Sequence, residues 1–152
     1  MRTSQFPATL RRQWAADLTS AQLYAFLRLR SEVFVVEQSC AYPDLDGRDL
    51  EPATRHFWLE VDGTPEPLAY LRLMEESDRT FRIGRVVTGR AARGRGYSRR
   101  LVEAALSEVG KADCVLDAQT YIADFYSTFG FVPEGEEFIE DGIPHLRMRR
   151  SR

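Results

Sequence analysis

Arg82-Ile83-Gly84-Arg85-Val86-Val87-Thr88-Gly89-Arg90-Ala91-Ala92-Arg93-Gly94-Arg95-Gly96-Tyr97-Ser98-Arg99-Arg100-Leu101-Val102 is where the pattern of the chain changes. A β-branched run stops at Gly89, a loop crowded with arginine and glycine follows, and an apolar-periodic segment then runs to Val109. That order predicts strand, loop and helix. Glycines at 94 and 96 remove Cβ where a backbone must approach a ligand closely, and the loop amides converge at a helix N-terminus with partial positive charge. Such a corner binds anions, phosphate above all. Arg90, Arg93, Arg95, Arg99 and Arg100 add fixed cations. A solvated basic loop without a ligand is the competing reading.

Two familiar phosphate loops do not fit. A P-loop needs Gly-Lys followed by Ser or Thr, and the one lysine is Lys111. The dinucleotide fingerprint needs a third glycine where Arg99 stands. Arg93-Gly94-Arg95-Gly96-Tyr97-Ser98 instead resembles the acyl-CoA loop of the GNAT N-acetyltransferases, Q/R-x-x-G-x-G/A, matching at Arg93 and Gly96 with the small Ser98 in the last place. Downstream, the stretch from Gln119 through Tyr126 to Gly130-Phe131 is similar to the family's second motif, with Gln119 at the Asn position and Tyr126 at the Tyr position. Leu29-Arg30-Ser31-Glu32-Val33-Phe34-Val35-Val36-Glu37-Gln38 and the segment from Gly135 to His145 resemble the ElaA-like subfamily, so the likeness spans nearly the whole chain.

The resemblance implies an α+β fold: a central mixed, mostly antiparallel sheet of about six to seven strands with a parallel splayed pair, and helices on both faces. It implies an N-acetyltransferase that moves acetyl from acetyl-CoA to a primary amine by direct attack in a ternary complex. Backbone groups of Val86, Val87 and Thr88 would pair with the pantetheine arm, and one amide would polarise the thioester. The pyrophosphate would rest on the loop amides from Gly94 through Arg95, Gly96, Tyr97 and Ser98 to Arg99, with Arg93, Gln119, Phe125 and Tyr126 completing the cofactor site. Tyr126 would protonate the departing thiolate as general acid; without the family, a Tyr beside Phe125 and Phe129 reads as core. Because amines arrive protonated, a base is also needed, and Glu37, His56 and His145 are the candidates, with Glu136 or Glu137 as acidic lining.

Composition agrees with a folded, soluble chain. The 152 residues are 43% hydrophobic and 29% charged, enough for one domain over 1–152 with its own core. Net charge is −2, so no global field recruits nucleic acid or an anionic membrane. Cations gather at 82–100, while Asp44, Asp46, Asp49, Glu51, Glu134, Glu136, Glu137, Glu140 and Asp141 lie elsewhere; the first set suits an anionic cofactor, and the second is either a patch for a cationic acceptor or scattered solubilising charge. Cys40 and Cys114 form no C-x-x-C pattern and read as reduced thiols of a cytoplasm. Arg2 introduces no continuous apolar run, and no window reaches the length of a membrane span. The acidic turn at 42–47 lacks the glycine and glutamate positions of a calcium loop, so no metal is expected. The protein is expected as a monomer or homodimer acting on a small-molecule or peptide amine. An acyl-CoA-binding module without turnover is the alternative, and a nucleic-acid binder is disfavoured because no aromatics interleave with the loop arginines.

Element boundaries follow from periodicity. Thr9–Leu18 is a first strand, and the capping box Thr19/Gln22 opens a helix over 20–30 that carries Leu23, Phe26, Leu27 and then Arg30 at helical spacing. Val33–Val36 reads as strand or short helix, and the resemblance implies helix and loop. His56–Val61, a turn at Asp62-Gly63, and Leu68–Met74 form a hairpin; Thr80–Thr88 is the next strand, with Arg82 and Arg85 facing solvent. After the 97–109 helix and its Gly110 cap come a strand opening at Cys114, a helix over 121–129, and a hairpin turning at Asp141-Gly142.

Overall fold

The computed structural model describes residues 8–62, 64 and 66–151. Arg2 and the Gly63 half of the expected Asp62-Gly63 turn lie outside that set. In chain order the elements are β1 (Ala8–Trp14), α1 (Ser20–Arg30), β2 (Thr54–Val61), β3 (Ala69–Glu75), β4 (Phe81–Thr88), α2 (Tyr97–Val109), β5 (Cys114–Gln119), α3 (Ala123–Ser127), β6 (Val132–Pro133), β7 (Phe138–Glu140) and β8 (Ile143–Arg150). They build one sheet in the order β1-β2-β3-β4-β5-β8-β6, with β7 also on β8. Among the described residues the count is eight rather than about six to seven, because β6 and β7, of two and three residues, add themselves to β8.

Every ladder is antiparallel except β4–β5, which α2 joins as a parallel crossover. That ladder registers only Phe81 with Cys114 and Arg82 with Val115. Beyond Arg82 the two strands diverge, leaving an opening in mid-sheet between the end of β4 and the end of β5.

Strand alternation distributes side chains to two cores. Phe57, Leu59, Leu71 and Leu73 pack with Leu101, Val102, Ala105 and Leu106 of α2 and with Tyr126 of α3. Trp58, Tyr70 and Val87 turn the other way, onto Phe26 and Leu29 of α1. Helices thus cover both faces. Among the described residues no helix is long and apolar enough to cross a membrane.

Local chemistry sets the helix ends. In the α1 capping box, the Gln22 amide donates to Thr19 Oγ1 (3.0 Å) and the Thr19 amide donates to Gln22 Oε1 (2.9 Å). Val33–Val36 does not form a strand. Ser31–Glu37 prolongs α1 as a wider π-type turn, its end closed by the Gln38 and Cys40 amides on the Val33 and Val35 carbonyls (3.1 and 3.0 Å). Only Val33 of that run is buried, and Val36 is 70% exposed, which a central strand would not allow. The helix expected over 121–129 is shorter, a 3₁₀ turn over Thr120–Ile122 leading into α3.

Arg82 and Arg85 are not solvent-facing. Arg82 Nε lies 3.2 Å from Glu76 and its Nη1 3.6 Å from Asp117, and Arg85 Nε lies 2.8 Å from Asp44. Acidic side chains from the neighbouring turns and β5 fold over that side of β4.

Candidate active site

A bulge shapes the rim of the opening. Tyr70 pairs with Val87 and Arg72 with Gly84, so Leu71 alone faces two residues, Arg85 and Val86. Arg85 takes φ 56°, the left-handed region in which a residue with a Cβ is strained by about 1–2 kcal/mol. Past Arg82 the β5-facing edge of β4 has no ladder partner among the described residues, and buried backbone groups left so must find another one. A cleft of about 1130 Å³ occupies the opening and runs along Val86, Val87 and Thr88.

At one end the cleft meets the glycine corner. Gly94 and Gly96 have φ 80° and 76°, and a Cβ at either would meet nothing within 4 Å. Glycine is therefore needed there for the torsion, not for packing within the chain. Gly96 caps α2 with no side-chain acceptor, so the amides of the first turn stay free for an anion. Thr88 Oγ1 and Ser98 Oγ, 2.6 Å apart, tie the end of β4 to that turn. Arg93 donates from Nε to the Thr88 carbonyl (3.2 Å) and forms a two-pronged pair with Glu37 (2.6 and 2.7 Å). Arg99 lies over the rings of Phe125 and Phe129, 5.4 and 4.7 Å from their centroids. Gly94, Gly96, Tyr97, Ser98, Arg93 and Arg99 all line the cleft; Arg95 is exposed and does not.

Across the opening stand Gln119, Phe125 and Tyr126. Gln119 exchanges amide contacts with Gln38 (3.2 and 3.5 Å), joining the end of β5 to the end of the α1 extension. Tyr126 is 4% exposed, set edge-on against Phe125 and Phe131 in the core while bordering the cleft. Burial, aided by Tyr121, pushes its phenol above the ordinary value, so it is a neutral O–H donor throughout the working pH range.

The three base candidates part company. His145, opposite Gln119 in the β5–β8 register, lines the cleft and stacks on Phe138 at 5.7 Å. Its Nδ1 lies 2.8 Å from the Ile143 carbonyl, which only accepts, so Nδ1 is the donor and, in the neutral ring, Nε2 is the nitrogen that bears the lone pair. Glu37 also lines the cleft, but the Arg93 hydrogen bond and charge hold its carboxyl below the usual range, leaving a weak base. His56 is 0% exposed and outside the cleft lining: alternation puts it on the α1 face, between the Tyr70 hydroxyl (2.6 Å) and the Asp49 carbonyl (2.9 Å). Both its nitrogens are engaged, and burial keeps it neutral, so it reaches no amine. Glu136 and Glu137 are exposed and off the cleft; Glu140 and Asp141 border it instead, a shift set by the β7–β8 turn.

Sequence reading missed the polar floor beneath the cleft. Arg30, 0% exposed, donates to Asp44 (3.0 Å) and Asp49 (2.5 Å) and to the Asp44 carbonyl (2.9 Å). Arg72 bridges Asp46 (2.9 Å) and Asp49 (3.0 Å). Asp44, Asp46 and Asp49 are thereby neutralised, as are Glu51 by Arg48 and Glu134 by Arg149, so they do not form a free patch for a cationic acceptor. The signal was present: Arg30 continues the apolar stripe of α1, a place a lone cation enters only with partners.

A model of the acetyltransferase (GNAT) domain matches residues 16–152. The chain is 57% identical over 145 residues to the UPF0039 protein Rv2851c of Mycobacterium tuberculosis, with 93% of this chain and 92% of that one covered. It is 39% identical over 144 residues to protein ElaA of Escherichia coli, covering 90% and 92%. The crystal structure of an acyl-CoA N-acyltransferase from Pseudomonas aeruginosa superposes with a TM-score of 0.89 at 41% identity, over 95% of this chain and 100% of that one.

Proposed function

The chain belongs to the GNAT acetyltransferase family, whose chemistry is acyl transfer from a CoA thioester, and from that premise we propose that it carries acetyl from acetyl-CoA to a primary amine, with residues 1–152 acting as one unit. One observation carries this reading: the free amides of the glycine corner, the unpaired edge of β4, the Tyr126 phenol and His145 all border one continuous cleft. A cosubstrate and an acceptor entering from opposite ends would meet at the opening, which favours direct attack over a relay through an enzyme nucleophile.

The steps follow from the groups present. The diphosphate sits on the α2 amides between Gly94 and Arg99, and the pantetheine arm lies along Val86–Thr88 as a further strand, satisfying the orphan edge. An amide of the bulge points at the thioester oxygen, where charge grows in the transition state. His145 Nε2 takes a proton from the incoming ammonium, the neutral nitrogen attacks the carbonyl carbon, and the C–S bond breaks as Tyr126 gives its proton to sulfur. The proton lost by the new amide nitrogen restores the phenol.

Two experiments test this. Acetyl-CoA at about a hundred times its dissociation constant should stabilise the fold by about 2.7 kcal/mol, a rise of roughly 5–10 °C in Tm for a chain of this size. Absence of any rise would leave only a solvated basic loop. Thioester consumption should then be assayed against polyamines, amino sugars, amino acids and peptide N-termini. With the best amine of that panel, His145→Gln should lower kcat/KM by about 10²-fold while the acetyl-CoA melting shift stays; an unchanged rate would take the base role from His145.

A further inference from the structure

Arg85 occupies a position that nothing in the proposed chemistry explains. It is the bulged residue of β4, in a left-handed conformation for which arginine has no intrinsic preference, one residue before the bulge amide assigned to the thioester. Its guanidinium is gripped from the 42–49 turn: Nε lies 2.8 Å from the Asp44 carboxylate, and Nη2 donates to the Asp44 carbonyl (3.0 Å) and to Asp46 (3.3 Å). The ring of Tyr42 lies beneath it, 5.6 Å from the guanidinium carbon. The grip is anchored in turn, because the other Asp44 oxygen and the Asp44 carbonyl are fixed by the buried Arg30 of α1.

We propose that Arg85 is a positioning residue: Asp44 and Asp46, by holding its side chain, hold the β4 backbone in the left-handed bulge that aims the Val86 amide into the opening. The inference rests on the reading that a bulge amide polarises the thioester. An arginine and an alanine face the same backbone strain at φ 56°, so in alanine the strain remains while the grip is gone. Glycine adopts that torsion freely and needs no grip.

This contrast gives a test that requires no acceptor. Acetyl-CoA labelled with ¹³C at the acetyl carbonyl is bound to the wild type, Arg85→Ala and Arg85→Gly, and its C=O stretch is read by difference infrared spectroscopy, with CoA affinity measured in parallel. The wild type is expected to shift the stretch to lower frequency. Arg85→Ala should lose most of that shift while its affinity for CoA, held by the glycine corner, stays within about threefold; Arg85→Gly should keep the shift. If the alanine variant does not fold, Arg85→Gln, which keeps the length and loses the charge, is read in its place. A full shift in Arg85→Ala overturns the inference alone, and loss of the shift in Arg85→Gly overturns it too, since glycine needs no clamp. No shift in the wild type removes the amide reading and the inference with it.

Discussion

Tyr126→Phe is expected to lower kcat by about 10²–10⁴-fold, the range over which a positioned proton donor acts, and to leave the acetyl-CoA melting shift almost unchanged. The variant isolates the hydroxyl because the ring is what the core holds: Tyr126 packs edge-on to Phe125 and Phe131, and phenylalanine keeps both contacts. Stability should therefore move little, and any loss of rate is a loss of chemistry. Burial raises the phenol pKa, so its ionisation should contribute no alkaline limb to the rate profile near neutrality; a limb that vanishes in Tyr126→Phe would contradict the assignment. Equal losses in turnover and in CoA affinity would mark Tyr126 as a packing residue bordering the cleft.

What could be read from the sequence is what is determined locally. The Thr19/Gln22 capping box, the stripe Leu101, Val102, Ala105, Leu106 and Val109 and the Gly110 cap depend on residues a few positions apart, and each stands where the pattern put it. Register and side-chain direction are different. That Leu71 faces both Arg85 and Val86 depends on how β3 slides along β4, and that His145 sits opposite Gln119 depends on the pairing of β5 with β8. Neither is encoded in periodicity. His56 was plausible as a base because the chain has only two histidines, but one step of strand alternation decides between cleft and core, and it falls on the core side. The acidic turn misled for the same reason: Asp44, Asp46 and Asp49 look solvated in sequence, and only folding brings Arg30, Arg72 and Arg85 from α1, β3 and β4 onto them.

That buried network yields the largest expected change in stability. Arg30→Met should destabilise the fold by about 3–5 kcal/mol, the usual penalty for leaving one side of a buried ion pair uncompensated, which for this length is roughly 6–20 °C in Tm. Methionine fills much of the arginine volume, so the loss comes from Asp44 and Asp49, both buried, each of which loses one of its arginine partners and keeps Arg85 or Arg72 alone. The pH dependence carries the sign. Burial alone would raise the Asp49 carboxyl, but hydrogen bonds and charge from Arg30 and Arg72 outweigh it and hold the group below its ordinary value. Its stabilising effect is therefore complete above the unfolded pKa of about 3.9 and is lost as pH falls through the lower folded value. Without Arg30, burial acts against a weaker opposing field and the carboxyl rises, so the variant sheds part of its deficit by taking up a proton. The gap between wild type and Arg30→Met should then be widest near pH 7 and narrow as the pH drops towards 4, measured by urea unfolding across that range. A gap that is constant with pH, or under about 1 kcal/mol throughout, would mean that the pairs are solvated in solution and do not anchor the turn beneath the cleft.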